Sequence, residues 1–225
     1  MGLFDYKTPA AGVMVLYPNI RKMRLIASKP MPKLLLASNN PGKLEELRSL
    51  LVDLPGLELL APADLAISLE VPEDGKDYTE NAALKAKAFA EASGLPALAD
   101  DSGLEVEALG GGPGLHSARI APTAAERRAL LLSWLAGKPQ PWNATFRSTI
   151  CLALPGGETY YAVGECRGQI SPVERGQGGF GYDPIFIVEG LGKTMAELSP
   201  AEKNRLSHRA RAVEKIRVIL TRIYG

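Results

Sequence analysis

Four short segments of this 225-residue chain combine residue types suited to handling a polyanion. The first is Ser38-Asn39-Asn40-Pro41-Gly42-Lys43. It lies between an apolar run and leucines at helical spacing, so a small polar loop should open a helix there. Free amides and the helix dipole at such a start favour negative charge, and Lys43 adds a full cation. It is not the G-x-x-x-x-G-K-[ST] phosphate loop, because the first glycine is missing and Leu44 stands where Ser or Thr would. The second segment is Ala99-Asp100-Asp101-Ser102-Gly103. Neighbouring side chains on an extended segment point to opposite sides, so the two aspartates cannot act as twins. One can bind Mg²⁺ and orient or deprotonate water, while the other holds the backbone. The third is Gly178-Gly179-Phe180-Gly181-Tyr182-Asp183-Pro184, where glycines admit a ligand, an aromatic face offers stacking for a base, and Asp183 can accept from a base N–H. The fourth is Lys203 with Ser207-His208-Arg209. At about 100° per residue His208 lies 140° around a regular helix from Lys203. Either the helix breaks near Ser207, or only part of this set reaches one site. Each segment also has a plain reading: a surface lysine, an Asx turn, a tight turn over core aromatics, a solvated basic helix.

The elements that must position these residues follow from pattern. Residues 33–37 read as a buried strand, followed by a loop over Ser38–Lys43, a helix whose spacing begins at Leu44 and stops at Pro55-Gly56, and a short strand at Leu57–Leu60. A second helix is expected over Thr79–Ser93, stopped by Gly94. Leu95–Ala99 reads as a strand with Asp100 to Gly103 at its end, and Leu104–Leu109 as another, half-exposed strand. A helix is expected over Pro122–Ala136 with Thr123 as a possible cap. Ala144–Leu154 and Glu158–Gly168 form a hairpin around Pro155-Gly156-Gly157, and Ile185–Val188 is a strand. The last helix starts after Ser199-Pro200 and runs to about Tyr224. Strands alternating with helices imply an α/β fold.

Composition bounds the setting. Lys and Arg number 26 against 25 Asp and Glu, a net charge of +1, with 46% hydrophobic and 23% charged residues. That is ordinary globular composition without the basic footprint of a nucleic-acid binder. The two cysteines, Cys151 and Cys166, have no metal-ligand spacing, and a disulfide framework is not expected. No apolar run approaches the roughly 18 residues of a membrane span, and the start lacks the pattern of a secretory signal. A cytoplasmic protein is expected. Residues 1–32, broken by four prolines, read as an N-terminal extension dispensable for chemistry, and residues 33–225 as one two-lobed catalytic domain.

Six motifs in one order carry a resemblance over residues 34–216. They are Ser38-x-Asn40-x-x-Lys43, Glu80-Asn81-Ala82-x-x-Lys85-Ala86, Ala99 to Leu104, Gly110 to Arg119, Gly179 to Pro184, and Glu202-Lys203-x-x-x-Ser207-His208-Arg209. Together they resemble the purine nucleoside triphosphate pyrophosphatases called XTP/dITP diphosphatases or inosine triphosphate pyrophosphatases. The resemblance implies an elongated, twisted mixed sheet flanked by helices, with two lobes and a central cleft, in a homodimer. It implies a Mg²⁺-dependent hydrolysis of ITP, dITP and XTP to monophosphate and pyrophosphate. In that reading Asp101 is catalytic base and metal ligand, Glu73 is a second metal ligand, and Asp100 points away and supports a turn. Ser38, Asn39, Asn40, Pro41, Gly42, Lys43 and Ser102 contact substrate. Phe180, Gly181, Tyr182 and Asp183 hold the purine, with Lys203, His208 and Arg209 completing base and phosphate contacts. One departure stands out: Pro72 replaces an acid that relatives often carry before the position of Glu73. Two rivals are weighed. Septum-associated nucleotide pyrophosphatases start with an A-S-x-S-P-R-R loop, whose arginine pair is absent here. A non-catalytic nucleotide sensor would not need the set of Lys43, Glu73 and Asp101.

Overall fold

The computed structural model describes residues 31–224. All but Met31 and Pro32 of the expected extension lie outside the described residues. The first strand, β1 (Lys33–Leu36), starts where the regular pattern starts. Leu34 and Leu36 pack on one side of it and Leu35 and Ala37 on the other. That double burial is why the segment reads as a continuous apolar run rather than an alternating one.

The remaining elements are α1 (Pro41–Leu51), β2 (Glu58–Leu60), α2 (Tyr78–Ser93), β3 (Ala97–Val106), β4 (Pro113–Gly114), α3 (Ala124–Leu135), β5 (Asn143–Ala153), β6 (Thr159–Ile170), β7 (Phe186–Val188), α4 (Pro200–Leu206) and α5 (His208–Tyr224). The strands form one mixed sheet in the order β2-β1-β3-β5-β6-β7, with β4 also on β3. β1 runs parallel to β2 and β3, and the other pairings are antiparallel. Helices α1 and α5 cover one face of the first half, and α2 covers the other. A third apolar cluster gathers α3, β7 and the far ends of β3, β5 and β6 into a second lobe. The α/β expectation holds, with the helices flanking a mixed sheet in two lobes. Asn40, Asp77, Thr123 and Ser199 cap α1, α2, α3 and α4 through their side chains, so each helix start expected from sequence has a local cause.

Two expectations are corrected. Asp100 to Gly103 do not follow the end of a strand. They pair residue by residue with Ile150 to Arg147 of β5, inside the single ten-residue strand β3. Small residues and paired aspartates suggested a turn, but the long partner strand carries the backbone straight through. The last helix is also not continuous. Ser207 adopts extended dihedrals, φ −67° and ψ 156°, and separates α4 from α5. Its hydroxyl accepts from the amide of Ala210 at 3.1 Å, so it ends one helix and caps the next. The seat of α5 is fixed at Gly164 of β6, where a side chain would run into the His208 carbonyl and the Ala212 amide.

Replacing Ser207 with Ala removes this cap and leaves a buried amide without a partner. A loss of about 1–2 kcal/mol is expected. Thermal denaturation should show Tm lowered by roughly 2–8 °C for a chain of this size. An unchanged Tm would mean the break does not depend on the hydroxyl.

Candidate functional site

The site grows from a gap in the sheet. β1 reaches only Ala97 and Leu98 of β3, and on the same edge β4 meets only Leu104 and Glu105. Between these contacts the edge of β3 has no neighbouring strand. The chain leaving β1 turns away here through Ser38, Asn39 and Asn40 into α1. Each side chain of that loop is engaged. Ser38 Oγ accepts from the Asn40 amide at 3.2 Å, Asn40 Oδ1 from the Lys43 amide at 3.1 Å, and Asn39 Nδ2 donates to the Leu69 carbonyl at 3.1 Å.

The exposed edge would leave the Asp100 carbonyl without a partner. Two lysines supply one. Lys43 Nζ from α1 and Lys85 Nζ from α2 each donate to it at 3.1 Å. They arrive from opposite faces of the sheet, and each then meets the aspartate on its own face. Lys43 pairs with Asp100 at 3.0 Å, and Lys85 pairs with Asp101 at 2.8 Å.

On the α1 face, Asp100 is fully buried. It accepts from Arg209, Ser148 and Ser102 as well as Lys43. Burial opposes its charge, but Arg209 and Lys43 outweigh that and hold its carboxyl well below the usual range. The expectation that Asp100 points away and supports a turn is therefore corrected: it is the counterion of two cleft cations. Arg209 also pairs with Glu46 of α1, which reaches Lys203 at 2.6 Å. Lys203 in turn pairs with Asp183 at 2.5 Å, and Asp183 accepts from the Phe180 amide at 2.8 Å. Asp183 is thus held internally, where sequence suggested it could accept from a base.

On the α2 face, Lys85 joins Asp101 to Glu73, the latter at 2.9 Å, and Asn81 donates to Asp101 at 3.4 Å. Burial raises the Asp101 carboxyl above the ordinary aspartate value, despite the attraction of Lys85 and Lys43. A raised value suits a group that must take a proton.

These faces enclose a cleft of about 630 Å³. Of the expected site residues it is lined by Ser38, Asn39, Asn40, Lys43, Glu73, Asp101, Ser102, Phe180, Gly181, Tyr182, Asp183, Lys203, His208 and Arg209. Pro41 and Gly42 lie in the first turn of α1, behind this lining. The helix break lets Lys203, the last-turn cation of α4, and His208 and Arg209, the first residues of α5, face one space. The tyrosine hydroxyl of Tyr182 is spent on the Ser117 carbonyl at 2.7 Å. The Phe180 ring is half-buried, with Lys203 Nζ at 5.3 Å and the Arg209 guanidinium at 5.7 Å from its centre. His208 stacks on Phe146 with ring centres 4.7 Å apart. Its Nδ1 is buried without a hydrogen-bond partner among the described residues, and burial next to Arg209 holds its pKa well below the ordinary 6.5.

Sequence reasoning missed Lys85, Glu46 and Ser148. Lys85 stands in a quoted motif, and Glu46 is one helical turn beyond Lys43, so both were within reach. Ser148 carried no signal, because only strand register brings it to Asp100.

Asp101 and Glu73 converge on one ammonium, so their oxygens face shared space. Among the described residues no cluster of three or more His, Cys, Asp or Glu could hold a metal ion. Two hard carboxylates without a cage suit Mg²⁺, which keeps waters and takes one or two carboxylates plus substrate phosphates.

The model for the Ham1 family matches residues 34–219. The dITP/XTP pyrophosphatase of Gloeobacter violaceus is 50% identical over 183 residues, covering 81% of this chain and 91% of that protein. That of Desulforamulus reducens is 46% identical over 196 residues, covering 85% and 97%. The solved structure of a HAM1 protein from Coxiella burnetii superposes with a TM-score of 0.76 at 39% identity, covering 85% of this chain and all of that one.

Two expected outcomes follow from the electrostatics. Asp100→Asn leaves Arg209 and Lys43 short of a buried counterion, at a cost of about 3–5 kcal/mol. Urea denaturation should show the loss, and a variant as stable as the parent would contradict the counterion role. His208 is neutral when folded but gains a proton below pH 6.5 when unfolded. The unfolded state then binds more protons, so stability falls as pH drops below that value. His208→Phe should remove this component. A fall in Tm between pH 7 and 5 equal in variant and parent would contradict it.

Proposed function

The chain belongs to the Ham1 family, and from that premise we propose that it hydrolyses dITP, ITP and XTP to the monophosphate and pyrophosphate. The enzyme is a nucleoside triphosphate pyrophosphatase that removes non-standard purine nucleotides. One observation carries this reading: a single cleft holds a cationic helix start, a converging pair of carboxylates and a half-buried aromatic ring, which are the three needs of an anionic nucleotide and an attacking water.

The roles divide by face. The positive end of the α1 dipole and the Lys43 ammonium take the triphosphate. Asp101 and Glu73 would hold Mg²⁺, which supplies charge neutralisation of the phosphates when bound. Asp101 also takes the proton of the water, whose oxygen goes to the monophosphate as pyrophosphate leaves. Lys85 fixes the orientation of Asp101 through the 2.8 Å pair. Phe180 offers its ring to the purine. The Arg209 guanidinium beside the ring and the Nδ1 of neutral His208, which lines the same cleft without a partner among the described residues, are the polar readers. A 6-oxo purine satisfies a donor there, and adenine, with an amino group, leaves it unpaired. Such a mismatch is worth orders of magnitude in discrimination. A homodimer in the cytoplasm completes this reading, with the chemistry carried by residues 33–225.

Pyrophosphate release from dITP, ITP, XTP, ATP and GTP with Mg²⁺ tests it. Strong release from the first three and little from ATP is expected, while a nucleotide sensor would bind without release. Asp101→Asn should lower kcat by about 10²–10⁴-fold with nucleotide binding largely retained. Near-normal turnover at saturating Mg²⁺ would take the base role away from Asp101.

A further inference from the structure

The structure assigns Gly42 a role the phosphate loop does not require: we propose that its missing side chain seats the Phe180 ring, making Gly42 a positioning residue for recognition of the base. The proposal rests on the nucleotide reading above and deepens it.

Gly42 lies in the first turn of α1 and its φ is not in the left-handed region. No backbone constraint therefore calls for glycine there. Alanine is the better helix former by up to about fivefold in propagation tendency per residue, so local propensity argues against glycine. Space argues for it. A Cβ at Gly42 would stand 2.8 Å from Phe180 Cδ1, 2.9 Å from Cγ and 3.1 Å from Cε1. Those contacts fall on the near half of the ring, so a small swing of its far end does not relieve them.

The ring has little freedom to retreat. Its own amide is tied to Asp183, and Lys203 and Arg209 stand beside it. Both cations are anchored by Glu46, which lies four residues after Gly42 on the same helix. Residues four apart share a helix face. The inward face of α1 therefore does two jobs. Its N-terminal end and Lys43 serve the phosphates, while Gly42 and Glu46 set the ring and cations that meet the base. A methyl group at Gly42 leaves every amide of the loop in place and displaces only the stacking surface.

The test is a cycle of Gly42→Ala and Phe180→Ala, read with dITP and with inorganic triphosphate, a probe without a base. Gly42→Ala should raise KM for dITP by roughly tenfold, within the range of one base–aromatic stack. The inhibition constant of inorganic triphosphate should change less than about twofold, since loop amides and Lys43 are untouched. In the Phe180→Ala background the same Gly42→Ala change should leave KM for dITP unaltered. It should also raise Tm there, because the better helix former now has room, whereas with Phe180 present that gain is absent. Equal KM effects in both backgrounds, or a parallel loss of triphosphate inhibition, would overturn the proposal. If the parent enzyme released no pyrophosphate from dITP, the functional reading would fail by itself. The Tm cycle needs no turnover, and additive Tm changes would still overturn the seating of the ring by Gly42.

Discussion

A single backbone carbonyl organises the cleft. The edge of β3 is bare between Leu98 and Leu104, and the Asp100 oxygen on that edge must be satisfied. Lys43 and Lys85 converge on it from the two faces of the sheet. A paired edge would have closed this space with a neighbouring strand. The open one admits charge from both sides, and it also separates the two lobes. The strict alternation of β3 then sorts the carboxylates, with Asp100 to the α1 side and Asp101 to the α2 side. The difference in their behaviour follows from their neighbours. Asp100 meets two cations and stays ionised, while burial dominates at Asp101.

Buried charge on the α1 side forms an alternating chain: Asp183, Lys203, Glu46, Arg209, Asp100, Lys43. Three anions balance three cations, so the interior carries no net charge along this path. Such an arrangement contributes little net stability relative to an apolar core, yet loss of one member is costly. Its use here is positional. It ties the start of α1 to α4, α5 and the Phe180 loop, so the groups facing phosphate and the groups facing a base are held by one another. The break at Ser207 is what lets two short helices deliver Lys203 and Arg209 into that chain from either side.

The balance also explains the two lysines on Asp101 and Asp100. Without Lys85, Asp101 and Glu73 would face each other as like charges across the cleft. With it, the pair is held close and compensated, ready to exchange some of that attraction for another cation. Arg119 reaches Glu73 from the far lobe at 3.5 Å, so the acidic pair is steadied from both sides of the opening.

Much was determined by the sequence alone. Strand β1, helices α1 to α3, the β5–β6 hairpin and their caps follow from periodicity and capping residues, because these depend on neighbours within a few positions. The six motifs brought nearly every cleft residue into view, and the angle between Lys203 and His208 left two outcomes, a break near Ser207 or a set only partly in the site, of which the fold takes the first. The tertiary structure alone decided three things. It carried Asp100 to Gly103 through the middle of a strand, since ten residues of pairing with β5 outweigh a local turn preference. It turned Asp100 inward, because Arg209 lies 109 residues away and no local pattern can announce that partner. It placed Gly42 against Phe180 across 138 positions, a packing contact whose sign, a side chain left out, becomes visible only when the other surface is in place.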